Sequence, residues 1–320
     1  AAAGMSAVFR APLTAIVFAV EMPYKDDLAH EALVPSLIAS VISYMTLSSF
    51  VGGQPLFAFA SNVTFTRRDL VWCALLGLVV GLVAMAFVIT FRRARVFWMK
   101  RSWPHWIKLT IGSFLTGVCG ITFLALFHGS LVPLGPNYEA VGYILTKHYS
   151  SFELVMFSGL KLAATTFSLA AGGVSAMFVP LFLSGGSLGV AFAQSVVHSP
   201  AIELYAAVGM AAFIADGYKT PLAAVVFVAE ATGGHSFIIP ALIGAAVAYA
   251  GRAPSRMEDH SVSTDSLAGS VEIWAGSTSK MRSWVASWVC SASSRRGPST
   301  MRGRARREAT SWRGNSMRFA

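Results

Sequence analysis

Charge is what this chain has least of. Acidic and basic residues together make up 12% of its 320 residues, against about 25% in a soluble globular domain, and the mean hydropathy is +0.60. Four stretches hold no Asp, Glu, Lys or Arg at all: 32–66, 70–91, 109 up to Glu139, and 162–202. A bilayer crossing needs about 20 such residues. Inside lipid the backbone polar groups must pair with one another, so these segments have to be helices, or irregular chain lining a cavity. A soluble domain is excluded, and the predicted fold class is an all-α, polytopic transmembrane helical protein.

Other shortages exclude chemistry. The three cysteines, Cys73, Cys119 and Cys290, have neither metal nor disulfide spacing and read as small core hydrophobes. His30, His105, His128, His148, His198 and His235 show no ligand spacing, and no Ser/His/Asp, Cys/His or His-Glu-x-x-His pattern occurs. The reading is therefore no enzyme, no metal and no cofactor. No signal peptide is recognisable. The net charge of +10 is concentrated at one end, since residues 1–250 hold 13 Lys+Arg against 10 Asp+Glu, and 251–320 hold 12 against 5. No basic and aromatic residues are organised as a nucleic-acid site.

Against that spare background a repeat stands out. Phe9-Arg10-Ala11-Pro12-Leu13 opens an apolar run that closes on Glu21, and Tyr218-Lys219-Thr220-Pro221-Leu222 opens one that closes on Glu230. In both copies the Glu lies nine residues after the Pro. A repeat within an apolar chain is the signature of a transporter built from two related halves around a central site. The first copy begins at residue 4, from which further chain upstream is expected.

Helices are predicted over 7–21, 28–50 (kinked or split at Pro35), 69–100, 105–128, 138–148, 152–171, 178–197, 202–215, 220–231 and 236–250. Arg92, Arg93, Arg95, Lys100, Arg101 and Lys108 crowd one join, which the positive-inside rule places in the cytoplasm of a multi-pass cell-membrane protein. Lys161, flanked by apolar residues, is expected to snorkel to that interface, the other reading being a cation that draws anions toward the site. Residues 251–320 are rich in Ser, Arg and Trp without periodicity. They read as a disordered tail or, given Trp274, Trp284, Trp288 and Trp312, as an aberrant or frame-shifted C-terminus.

The strongest local motif runs from Gly172-Gly173 to Gly189. Small residues lead into a helix whose first turn holds Pro180, where a missing N–H costs nothing. The backbone amides of Ala176, Met177, Phe178 and Val179 are then left to face whatever lies ahead of the helix, and with the helix dipole they suit an anion. Gly185, Gly186 and Gly189 let neighbouring helices approach closely. Taken alone, this motif fits an anion site and a packing break equally. Glu21 and Glu230 are carboxylates in apolar surroundings, candidates for the ion path or for bonding backbone N–H groups at neighbouring helix ends. Arg10 and Lys219 precede the two Pro-Leu pairs and are candidates for water-facing vestibules that focus anions.

Met177-Phe178-Val179-Pro180, then Ser184-Gly185-Gly186-Ser187-Leu188-Gly189, together with the two Pro-Leu copies, resembles the CLC family of chloride channels and proton-coupled chloride transporters over residues 1–250. The resemblance implies an inverted-repeat pore domain, with residues 1–60 as the end of an incomplete first half and 69–250 as the second half. It further implies a homodimer with one pore per subunit and chloride or a similar small anion as the partner. Further helices would come before residue 1, among them the family's Ser and gating-Glu ligands. The family's Gly-x-Phe-x-Pro signature falls on residues 176–180 with Ala176 in place of Gly, and its central Tyr is expected after Ala250, where no Tyr occurs. Coupled exchangers of the family often carry two adjacent Glu residues where this chain has Glu21-Met22, so the resemblance implies passive conduction, or coupling by another path. Two other readings stand beside it: an inverted-repeat transporter of another small anion, and a truncated fragment that does not transport.

Overall fold

The computed structural model describes residues 2–22, 30–53, 57, 59, 65–126, 142, 144, 145, 149–173 and 176–251, all within the first of two units, Ala1–Ala253 and Pro254–Ala320. The segment expected at 138–148 and the tail after Gly251 therefore lie essentially outside the described residues.

Everything described is helical or connecting chain. The elements are α1 (Ala2–Phe9), α2 (Pro12–Glu21), α3 (His30–Val51), α4 (Arg67–Lys100), α5 (His105–Leu126), α6 (Ser151–Ala170), α7 (Phe178–Phe192, continued by a π turn over Ala193–Val197), α8 (Ile202–Tyr218), α9 (Pro221–Thr232) and α10 (Ile238–Ala250). Among the described residues five helices are long and apolar enough to cross a membrane: Ala32–Val51, Arg67–Lys100, His105–Ala125, Ser151–Ala170 and Phe178–Val197. Helices α2, α9 and α10 are apolar but shorter.

Two expectations are corrected here. The helix predicted over 7–21 is two helices, because Pro12 disfavours helical geometry at the residue before it and Arg10 turns into the left-handed region at φ 52°. Helix α3 does not split at Pro35 but runs through it as one element.

Helix α8 lies at the centre. Every residue from Leu204 to Asp216 is buried, as expected of a helix apolar all round and enclosed by others. Helices α4, α7, α9 and α10 pack around it. Helix α7 meets α8 through glycine: a Cβ on Gly185 would lie 2.3 Å from the Gly209 carbonyl oxygen, and one on Gly189 would lie 2.1 Å from that of Tyr205. Only bare backbone permits such a crossing.

Helix α4 shows the opposite pattern. Cys73, Leu76, Gly77, Val80, Gly81, Ala84 and Phe87 form a buried stripe, while Val71, Leu78, Leu82 and Ile89 point outward. An apolar outer face is what lipid requires. At 34 residues the helix is about 51 Å long, which carries Arg92, Arg93 and Arg95 toward one end of the span. There Arg101 lies over the rings of Phe97 and Trp103, at 5.1 and 5.6 Å.

Candidate functional site

Each copy of the repeat builds the same joint. A helix ends (α1, α8), a basic residue takes left-handed geometry (Arg10 φ 52°, Lys219 φ 60°), one residue leaves helical geometry in the same way in both copies (Ala11 φ −128°, ψ 81°; Thr220 φ −122°, ψ 72°), and Pro opens the next helix. Left-handed geometry costs a non-glycine residue roughly 1–2 kcal/mol, yet it recurs at both matched positions.

The two Pro-Leu helices then clasp one another. Glu21 at the end of α2 accepts the N–H groups of Leu222 and Ala223 at 3.1 and 2.8 Å. Glu230 near the end of α9 accepts those of Leu13 and Thr14 at 2.9 and 2.7 Å, plus the Thr14 hydroxyl at 2.7 Å. The C-terminal carboxylate of each helix thus fills the orphan donors at the other's start, which requires the pair to run antiparallel. The geometry is that of a helix cap, with each cap supplied by the other half of the repeat.

Carboxylates hold other helix starts too. Asp69 caps α4 in a box with Thr66 and also accepts the Tyr205 hydroxyl at 2.9 Å. Glu153 caps α6 in a box with Ser150. Helix α7 differs: its N-cap, Met177, makes no side-chain capping bond, and no acidic residue stands in the first turn. Pro180 is its third residue and brings no N–H, so the donors of that turn are the amides of Met177, Phe178 and Val179. Ala176 ahead of them is exposed, Met177 half-buried, and Phe178 and Val179 buried.

Aromatic rings enclose this start. The Phe178 ring lies 4.8 Å from Phe9, 5.8 Å from Phe18, 6.0 Å from Phe182, 5.9 Å from Tyr218 and 4.8 Å from Phe227. Four of these five are repeat mates: Phe9 and Tyr218 stand three residues before the two prolines, and Phe18 and Phe227 six residues after them. Phe9 and Phe18 are fixed positions of the first Pro-Leu motif, and an aromatic stands at the same two offsets in the second copy, but their convergence on Phe178 was not expected from the sequence.

The remaining predicted residues fall in two groups. Gly185 and Gly189 sit in the α7–α8 crossing and Gly186 packs on the Met210 side chain, so all three serve the packing of the helix that presents the amides. Arg10 and Lys219 form the joints that place Phe9 and Tyr218. Lys161 corrects an expectation: at 5% exposure it is buried between helices and does not snorkel outward. Asp216, 1% exposed, faces a small cavity with Leu82, Met85 and Val247. Among the described residues no group of His, Cys, Asp and Glu is placed to hold a metal.

Comparison with known proteins follows the same lines. The family model described as voltage gated chloride channel matches residues 1–252. The H(+)/Cl(-) exchange transporter ClcA of Yersinia pestis is 27% identical over 250 residues, covering 76% of this chain and 52% of that protein. The chain thus spans about half the length of the curated relatives it matches. Two solved structures share the fold: a CLC-type fluoride/proton antiporter (TM-score 0.66, 23% identity, 78% of this chain and 61% of that one), and a slow cyanobacterial Cl-/H+ antiporter (TM-score 0.62, 19% identity, 78% and 59%).

Proposed function

Because the chain belongs to the voltage-gated chloride channel (CLC) family, a family of channels and transporters rather than enzymes, we propose that it forms one wall of a path carrying chloride or a similar small anion through a membrane. The anion is held by the backbone amides of Met177, Phe178 and Val179, with Ala176 leading in. One observation carries this reading. The starts of α2, α4, α6 and α9 are each filled by a carboxylate, whereas the start of α7, like that of α10, has no side-chain cap and no acid in its first turn, and rings from both copies of the repeat enclose it. Donors and dipole there are left for an external anion.

The same reading assigns 1–60 to the end of a first half and 69–250 to a second half. The matched joints at Arg10 and Lys219 and the antiparallel clasp support that division. It places the join from Arg92 to Lys108 in the cytoplasm, makes the assembly a homodimer, and gives Arg10 and Lys219 the role of gathering anions at opposite ends of the clasped pair. Glu21 and Glu230 serve as caps. Met22 has no ionisable group to pass a proton, which favours passive conduction over exchange.

Flux from liposomes tests the proposal. The chain reconstituted with a potassium ionophore is expected to release chloride without moving protons. Folded protein that releases no chloride refutes anion conduction. Proton uptake driven by a chloride gradient refutes the passive form and leaves anion transport standing.

A further inference from the structure

Between Asp69 and Glu139 the chain has no carboxylate, yet the join of α4 and α5 carries six cations, from Arg92 to Lys108. Among the described residues none of the six makes an ion pair or a side-chain hydrogen bond. Arg92, Arg93, Lys100 and Arg101 are exposed.

The outer face of α4 tells what these cations meet. Leu78, Leu82 and Ile89 are exposed, and Arg93, Phe97 and Lys100 continue the same face, because steps of three, four and seven residues return a helix to one side. The uncharged stretch 70–91 rises about 33 Å, close to the hydrocarbon thickness of a bilayer, about 30 Å. Arg93 and Lys100 therefore fall at headgroup level, on a face whose remainder runs through lipid. Trp103 and Trp106, both exposed, suit the same layer, where indole rings collect. The join is also firmly seated. Trp98, on the other side of α4, packs with Ala170 and Ala171 at the end of α6, and the His105 ring stands against Gly172. Arg101 lies over Phe97 and Trp103, and a guanidinium held on ring faces keeps its N–H edge for an oxyanion.

We propose that Arg93, Lys100 and Arg101 bind the phosphate of one anionic phospholipid, whose acyl chains lie along Leu78, Leu82 and Ile89. Arg93 and Lys100 are about 10 Å apart along the helix, a gap that two long side chains close on one phosphate. A zwitterionic headgroup brings an ammonium for which the join has no carboxylate. A soluble phosphate leaves the apolar part of the face unused.

Binding is read by energy transfer from tryptophan to phosphatidylglycerol or phosphatidylcholine carrying a pyrenyl chain, titrated into the purified full chain in neutral-detergent micelles. The unsubstituted chain is expected to prefer phosphatidylglycerol about a hundredfold, roughly fivefold for each of three cations at an anionic surface. Arg93→Gln with Arg101→Gln should weaken that binding about 25-fold and leave phosphatidylcholine nearly unchanged. Arg67→Gln with Arg68→Gln removes the same charge at the far end of α4, several screening lengths away, and should leave binding within about twofold. Equal affinity of the unsubstituted chain for the two lipids overturns the proposal. Equal loss in the two double variants also overturns it, because net charge is then enough. Displacement by inorganic phosphate as complete as by unlabelled phosphatidylglycerol overturns the lipid as occupant. The anion site at α7 stands or falls separately.

Discussion

Removing one carboxylate of the clasp should unfasten a helix start that has no other source of acceptors. In Glu230→Ala the N–H groups of Leu13 and Thr14 lose the bonds they make at 2.9 and 2.7 Å, and the Thr14 hydroxyl loses its own at 2.7 Å. Leu13 is exposed and Thr14 beside it is buried, so one of the two amides is left away from solvent without an acceptor. An unsatisfied buried backbone group costs about 1–3 kcal/mol, and losing a negative charge at a helix start adds about 0.3–1 kcal/mol. With one buried amide the sum is about 1–4 kcal/mol. Glu230→Gln keeps one carbonyl oxygen and should cost about half as much. Glu21→Ala strands two amides and no hydroxyl, so its cost should fall about 1 kcal/mol short of that for Glu230→Ala. Because both carboxylates fasten the same two helices, the double substitution should cost less than the sum of the singles by about 1 kcal/mol or more. Unfolding in mixed micelles, followed by tryptophan fluorescence, gives all four values. A Glu230→Ala chain within 1 kcal/mol of the unsubstituted protein would refute the capping argument, as would a Gln substitution as damaging as Ala.

Two further expectations concern packing and charge. Gly189→Ala drives a methyl group to 2.1 Å from the Tyr205 carbonyl oxygen. Helices α7 and α8 must then separate, at about 1–3 kcal/mol or more, and a broadened size-exclusion profile with lowered thermal stability is the readout. Replacing Lys219 by Gln should reduce chloride flux at low ionic strength and leave it nearly unchanged at 1 M salt, where the screening length falls to about 3 Å. Equal loss at both salts would show that Lys219 acts by shape rather than charge. Arg10→Gly relieves a left-handed residue and should leave stability unchanged or raise it by up to about 1 kcal/mol.

Much of the helical plan could be read in advance, for reasons that are local. Absence of charge over 20 residues leaves a bilayer segment little choice, and the spans of α3, α4, α5 and α7 follow from it. The start of α7 was legible because Gly172, Gly173 and Pro180 are local conformational signals. The break at Arg10-Ala11 was equally local, and the second copy, with Thr220 before Pro221, displayed it. Lys161 went wrong for a different reason. In a chain whose outside is lipid, the buried and exposed faces of a helix are both apolar, so polarity does not tell which way a lone lysine turns. The aromatic enclosure of Phe178 lay in the repeat as matched offsets, but nothing in a sequence says that two segments some 200 residues apart converge on a third.

A helical membrane protein, two copies of one Pro-Leu…Glu unit and a helix that opens after Gly172 can all be read along the chain. Each of these depends on composition or on neighbours along the chain. What the carboxylates do follows from packing alone. Glu21 and Glu230 look alike in the sequence and could have handled ions; they become caps because α2 and α9 lie antiparallel, so that the end of each meets the start of the other. The same meeting of the two copies brings Phe9, Phe18, Phe227 and Tyr218 around Phe178. The donors at the start of α7 acquire their meaning by contrast with helix starts already filled from across the fold, and that contrast exists only once the chain has packed.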